Sequence, residues 1–136
     1  MIVAEDSFFC QEEIHTMYES GENYLETILR LKEKNGMVRS IDIAHQLNFS
    51  KPSVSRAIGI LKEDGYITVG PKGEIELTDK GRQKAESVYE RHKMLTAFLQ
   101  KVAEVDREVA EEDACRMEHI ISDEVFQGIK RFMKKN

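Results

Sequence analysis

From residue 21 onward the apolar positions fall into helical spacing. Tyr24, Leu25, Ile28, Leu29 and Leu31 form one stripe that starts after Ser20 or Gly21. It stops at Asn35-Gly36, a pair that commonly ends a helix. A short helix follows, with Ser40 as its N-cap and Ile41, Ile43, Ala44 and Leu47 as its apolar side. After Asn48-Phe49-Ser50 comes a third helix, capped by Ser50, with Pro52 in its first turn and Val54, Ala57, Ile58 and Leu61 as the buried stripe. It ends at Asp64-Gly65. The period then becomes alternating. Residues 66–69 and 74–77 read as strands, and Gly70-Pro71-Lys72-Gly73 between them is turn chemistry, so the pair is a β-hairpin. Thr78 caps a long helix to about Val102, Asp106 begins another to about Ile121, and Ser122 caps a last one ending near Phe132. Residues 1–20 show no clean period. Phe8, Phe9, Ile14 and Met17 fit one stripe of a short helix, and the segment reads as an N-terminal extension.

Helix, short helix, turn, helix, two-stranded hairpin is the order of a winged helix-turn-helix. The expected fold is mainly α: an N-terminal winged helix-turn-helix with a two-stranded β wing, followed by a helical C-terminal domain. The expected division is 1–20, 21–84 and 85–136. In such a module the third helix enters the major groove, so its outer face must be small, polar or basic. In SKPSVSR, Val54 points inward and leaves Ser50, Lys51, Pro52, Ser53, Ser55 and Arg56 for the DNA side. Small Ser and Pro permit close approach, and Arg56 can pair with guanine or clamp a phosphate. Lys72 at the hairpin tip suits a backbone phosphate, and Arg39 and Ser40 suit a positioning role at the start of the second helix. The same fold also serves protein contacts, in which case Arg56 is an ordinary surface arginine.

Composition sharpens this picture in three ways. Eight Gly and two Pro in 136 residues agree with long helices rather than an all-β fold. The two cysteines, Cys10 and Cys115, are far apart, so no disulfide framework is expected and a reducing cytosol is. No apolar run nears the roughly 18 residues of a membrane span, and the acidic N-terminus lacks the basic start of a secretory signal. The expectation is a cytoplasmic protein with no membrane partner. The net charge of −5 is unevenly placed. Residues 1–29 hold seven acids and no Lys or Arg, whereas residues 30–93 hold thirteen basic and nine acidic residues. The basic surplus falls on the winged-helix stretch, where phosphate contact needs it.

A second constellation lies after Asp106. Cys115, Glu118 and His119 stand at i, i+3 and i+4, one face of a helix. Thiolate, carboxylate and imidazole on one patch suit a transition metal. Asn23 and Glu26 stand at i, i+3 on the first long helix, and His92 is on the helix after the wing. Three helices thus offer six donors. Each also has an ordinary structural role: a small buried thiol, a solvated Glu-His pair, a hydrogen-bonded histidine.

The chain resembles the diphtheria-toxin-repressor and manganese-transport-regulator family of metal-dependent transcriptional repressors. The resemblance spans about residues 20–133 and is carried by SGENYLETI, DIAHQLNFSKPSVSRAIGILKEDGYI, LTDKGRQKA, YERHKMLTAFL and, most specifically, EEDACRMEHIISDEV. It implies a homodimer whose C-terminal helical domain is the dimerisation domain, with the six donors forming a metal site between the two domains. His92, Cys115, Glu118 and His119 match the pattern, and Glu26 matches the acidic ligand of the manganese-type members. Asn23 stands where the family usually has Asp or Met, and offers an uncharged oxygen. Glu111 and Thr96 stand where some iron-type members carry a His and a Glu of a second site, so that second site does not carry over. Cys115 is the iron-type choice, while Glu26 and the end of the chain at Asn136 are manganese-type. The expected ion is Mn²⁺ or Fe²⁺, with Zn²⁺ or Co²⁺ able to bind in vitro.

The resemblance further implies a repressor of metal-uptake genes that binds a palindromic double-stranded operator. An ion held by both domains would fix the spacing of the two recognition helices at about one DNA turn, roughly 34 Å. Two other classes fit parts of the sequence. A winged-helix regulator of a small organic ligand needs an apolar pocket and is indifferent to chelators. A metalloenzyme needs an open coordination position and a substrate cleft, and no phosphate loop or nucleophile-base set accompanies this patch. A non-enzymatic role is expected.

Overall fold

In a computed structural model the described residues are 21–136. The expectations for residues 1–20, including the stripe of Phe8, Phe9, Ile14 and Met17, lie outside them. The chain divides into two compact units, one ending at Glu86 and the other running from Ser87 to Asn136.

The first unit begins with α1, helical over residues 21–35. Gly36 follows at φ 84°, a left-handed conformation that glycine adopts without steric cost, and its N–H donates to Lys32 O at 2.8 Å. Helix α2 spans Ser40–Leu47 and α3 spans Lys51–Glu63. Arg39, not Ser40, is the N-cap of α2. The cause is Asp42: its carboxylate accepts from the Arg39 N–H at 2.9 Å, closing the helix start from within its first turn. Ser50 caps α3 as expected, accepting from the Ser53 N–H at 3.3 Å. The wing is β1 (Ile67–Val69) antiparallel to β2 (Ile75–Leu77), with Ile67 opposite Leu77. The Ile75 N–H also donates to Val38 O at 2.8 Å, which ties the segment before α2 to the wing. Leu25, Ile28, Leu29, Val38, Ile43, Val54, Ile67 and Ile75 are buried, so both helical and strand stripes face one core.

Helix α4 spans Asp79–Ala103 and contributes residues to both units. Its start is anchored to the wing. The Thr78 hydroxyl donates to Gly65 O at 2.7 Å and accepts from the Gly81 N–H at 3.1 Å. In the second unit, α5 spans Arg107–Met117 and α6 spans Asp123–Lys135, capped by Asp106 and Ser122. Leu95, Ala114 and Ile129 form its core, with Met94, Phe98, Leu99, Met117, Ile121 and Met133 around them. Helix α5 ends four residues earlier than its pattern suggests. The Ile120 and Ile121 N–H groups both turn back to Met117 O at 3.1 Å, which closes the helix before Ser122 opens the next. Helix α6 runs three residues further than expected, to Lys135.

Candidate metal centre and nucleic-acid surface

Early closure of α5 puts Glu118 at its C-cap and His119 in the turn that follows. Glu118 is 1% exposed. Its Oε1 lies 3.0 Å from His92 Nδ1, and its Oε2 lies 3.3 Å from His119 Nε2. His92 is buried on α4, its carbonyl accepts from the Thr96 hydroxyl at 2.8 Å, and its ring stacks on Tyr89 with centroids 6.4 Å apart. Two imidazoles, those of buried His92 and half-buried His119, thus meet one buried carboxylate, nitrogen and oxygen donors that Mn²⁺, Fe²⁺ and Zn²⁺ accept. The spacing also fits, since two donors each about 2.1 Å from one octahedral ion stand about 3 Å apart. Cys115 is exposed on α5, and among the described residues it joins no cluster of three candidate donor atoms. Thr96 and Glu111 are engaged with His92 and Arg107 respectively.

In the first unit, Asn23 and Glu26 share a face of α1. Asn23 is half-buried, while Glu26 is buried and accepts from Arg30 Nη1 at 3.3 Å. A buried glutamate beside Leu25, Ile28 and Leu29 is costly unless paired or ligated.

The nucleic-acid candidates sit as the pattern places them. Val54 is fully buried, and Ser50, Lys51, Pro52, Ser53, Ser55 and Arg56 are exposed on or beside α3. Ser50 Oγ donates to Ser53 Oγ at 2.9 Å, so these two hydroxyls act first as a helix cap. Lys72 is exposed in the wing turn, which closes through the Gly70 N–H to Glu74 O at 2.8 Å. Arg39 is exposed and Ser40 half-buried at the start of α2. Phe49, 43% exposed beside Ser50, is a further surface feature that its apolar character hid in the sequence. It packs against Tyr24, with ring centroids 6.0 Å apart.

Two family models match the chain. Residues 16–75 match the iron dependent repressor N-terminal DNA binding domain, and residues 78–136 match the iron dependent repressor metal binding and dimerisation domain. A helix-turn-helix-type transcriptional regulator of Methanocaldococcus jannaschii is 36% identical over 120 residues, covering 88% of this chain and 96% of that one. The diphtheria toxin repressor of Corynebacterium glutamicum is 33% identical over 109 residues, 80% of this chain and 48% of its own length. The chain therefore spans about half the length of that repressor. Among solved structures, a manganese-dependent transcriptional repressor in complex with manganese superposes with a TM-score of 0.78 at 26% identity, covering 84% of this chain and 52% of that one.

Proposed function

The chain belongs to the iron-dependent repressor family, and from that premise we propose that it is a transcriptional repressor whose hold on DNA depends on a divalent transition metal. The observation that carries the reading is the buried Glu118 carboxylate flanked by His92 and His119. His92, Glu118 and His119 would hold the ion, with Glu26 as a second carboxylate. The family pattern adds Asn23 and Cys115. Oxygen and imidazole donors favour Mn²⁺ or Fe²⁺, and the Cys115 sulfur raises affinity for Fe²⁺, Co²⁺ or Zn²⁺. The ion supplies a strong cation that the free ligands lack. The chain would supply Ser50, Lys51, Pro52, Ser53, Ser55, Arg56, Arg39, Ser40 and Lys72 to the DNA. A homodimer would set two recognition helices on a palindrome, and metal would favour the spacing that fits it. Metal-uptake genes in the cytoplasm are the targets this regulation suits.

Replacing His119 with Ala tests the reading. The variant is expected to stay a folded dimer and to lose the metal-stimulated part of operator binding. Operator binding equal to wild type in excess Mn²⁺ would sink the metal switch. A second reading draws on an apolar groove of about 560 Å³ in the first unit, lined by Leu25, Phe49, Ile60, Leu61 and Arg56. Its size is that of a small-molecule site. A regulator acting through that groove would bind DNA equally well with and without a chelator, so titrating Mn²⁺, Fe²⁺ and Zn²⁺ against EDTA separates the two.

A further inference from the structure

Arg91 precedes His92 on α4, and none of the roles above uses it. Its Nη1 donates to the Glu118 carbonyl oxygen at 2.9 Å and to that of Ile121 at 3.5 Å. Its Nη2 lies 3.6 Å from Asp123 Oδ1, and the guanidinium sits over the Phe126 ring, 4.9 Å from its centroid. One fork therefore grips the end of α5, the turn after it and the first turn of α6. The grip answers a local need. Helix α5 stops at Met117, so the carbonyls that follow have no N–H of a further helical turn to accept from. A cation there also complements the C-terminal end of the α5 dipole, while Asp123 offsets it toward α6.

We propose that Arg91 is a positioning residue for metal binding: it fixes the backbone of the 118–121 turn and so holds Glu118 and His119 in their spacing against His92. This rests on the metal reading above. The work requires a planar fork. A lysine ammonium keeps the charge but cannot hold two carbonyls and a carboxylate from one rigid plane while stacking on Phe126. Loss of a group that orients a metal ligand typically lowers metal affinity by roughly 10- to 100-fold.

The test uses Arg91→Gln and Arg91→Lys in the full chain, with two readouts. The first is Mn²⁺ affinity by titration calorimetry. The second is amide hydrogen exchange in the metal-free protein, which a purely global effect on stability would change everywhere. In Arg91→Gln the Kd for Mn²⁺ is expected to rise about 10- to 100-fold. Arg91→Lys is expected to recover only a small part of it. Exchange should accelerate at amides 118–123, stay unchanged in α1–α3, and slow again at saturating Mn²⁺. Wild-type affinity in Arg91→Lys would reduce the role to charge and overturn the proposal. Wild-type affinity in both variants, or faster exchange spread along the whole chain, would overturn it too, as would loss of helix in both. If the wild type itself takes up no Mn²⁺, the metal reading fails, and the exchange pattern still decides whether Arg91 fixes the turn.

Discussion

At Glu118 a single carboxylate, 1% exposed, has both oxygens committed toward imidazoles on His92 and His119. Burying a carboxylate costs several kcal/mol, and the contacts with the two imidazoles offset only part of that. A divalent cation offsets it better. Metal affinity and metal-free stability therefore pull in opposite directions at this residue. Glu118→Gln keeps the shape and removes the charge. Without metal it is expected to melt at or above the wild-type temperature. In the wild type, Mn²⁺ at a hundred times its Kd adds about 2.7 kcal/mol, a rise of roughly 10 °C for a chain of this size. Glu118→Gln should lose most of that rise. Thermal melts of both proteins with and without Mn²⁺ check it, and a full Mn²⁺ shift in the variant would remove Glu118 from the ligand set.

Among the elements, the first turn of α4 carries the tightest constraint. A Cβ built on buried Gly81 would meet the Tyr66 carbonyl oxygen at 1.9 Å and its carbon at 2.9 Å. Both are backbone atoms at the base of the wing, already bound by the Thr78 N–H and hydroxyl. The Leu77 side-chain tip at 3.3 Å could yield, but these backbone atoms cannot, so Gly81→Ala must push the helix off the wing. The expected loss is about 1–3 kcal/mol, the usual range for overpacking, read as a lower urea midpoint at unchanged slope. An unchanged midpoint would show that this junction has slack. The same scale explains what the sequence made legible. Helix α3 is written twice over, in the stripe of Val54, Ile58 and Leu61 and in the Ser50 cap, both local features. The hairpin is written in Gly70–Gly73. The end of α5 is written in neither way, because it depends on Met117 O accepting from Ile120 and Ile121 and on Arg91 reaching across from α4. The i, i+3, i+4 spacing of Cys115, Glu118 and His119 assumed one continuous helix face, but α5 closes at Met117 and leaves Glu118 and His119 beyond it. The spacing could not tell that the cysteine ends exposed while the glutamate ends buried.

Over the whole molecule, charge and function are segregated along the chain. A protein of net charge −5 gains nothing from its overall charge on approaching DNA, so the proposed binding must draw on the local surplus in residues 30–93. Salt dependence then reports individual contacts, because each phosphate neutralised adds about 0.9 to the slope of log K against log salt. Lys72 in the wing turn and Arg56 on α3 are expected to separate cleanly in that measurement. Lys72→Ala should weaken binding to every sequence alike and lower the slope by about 1 for each phosphate contact removed. If Arg56 pairs with guanine, Arg56→Ala should cost about 1–3 kcal/mol at one base-pair position and relax discrimination there, with little change in slope. Operator and scrambled duplexes titrated at four salt concentrations decide between these outcomes. A slope change for Arg56→Ala without lost discrimination would move Arg56 from reading bases to holding the backbone. An unchanged slope for Lys72→Ala would leave the wing turn out of the interface and shift the burden of phosphate contact to Lys51 and Arg39.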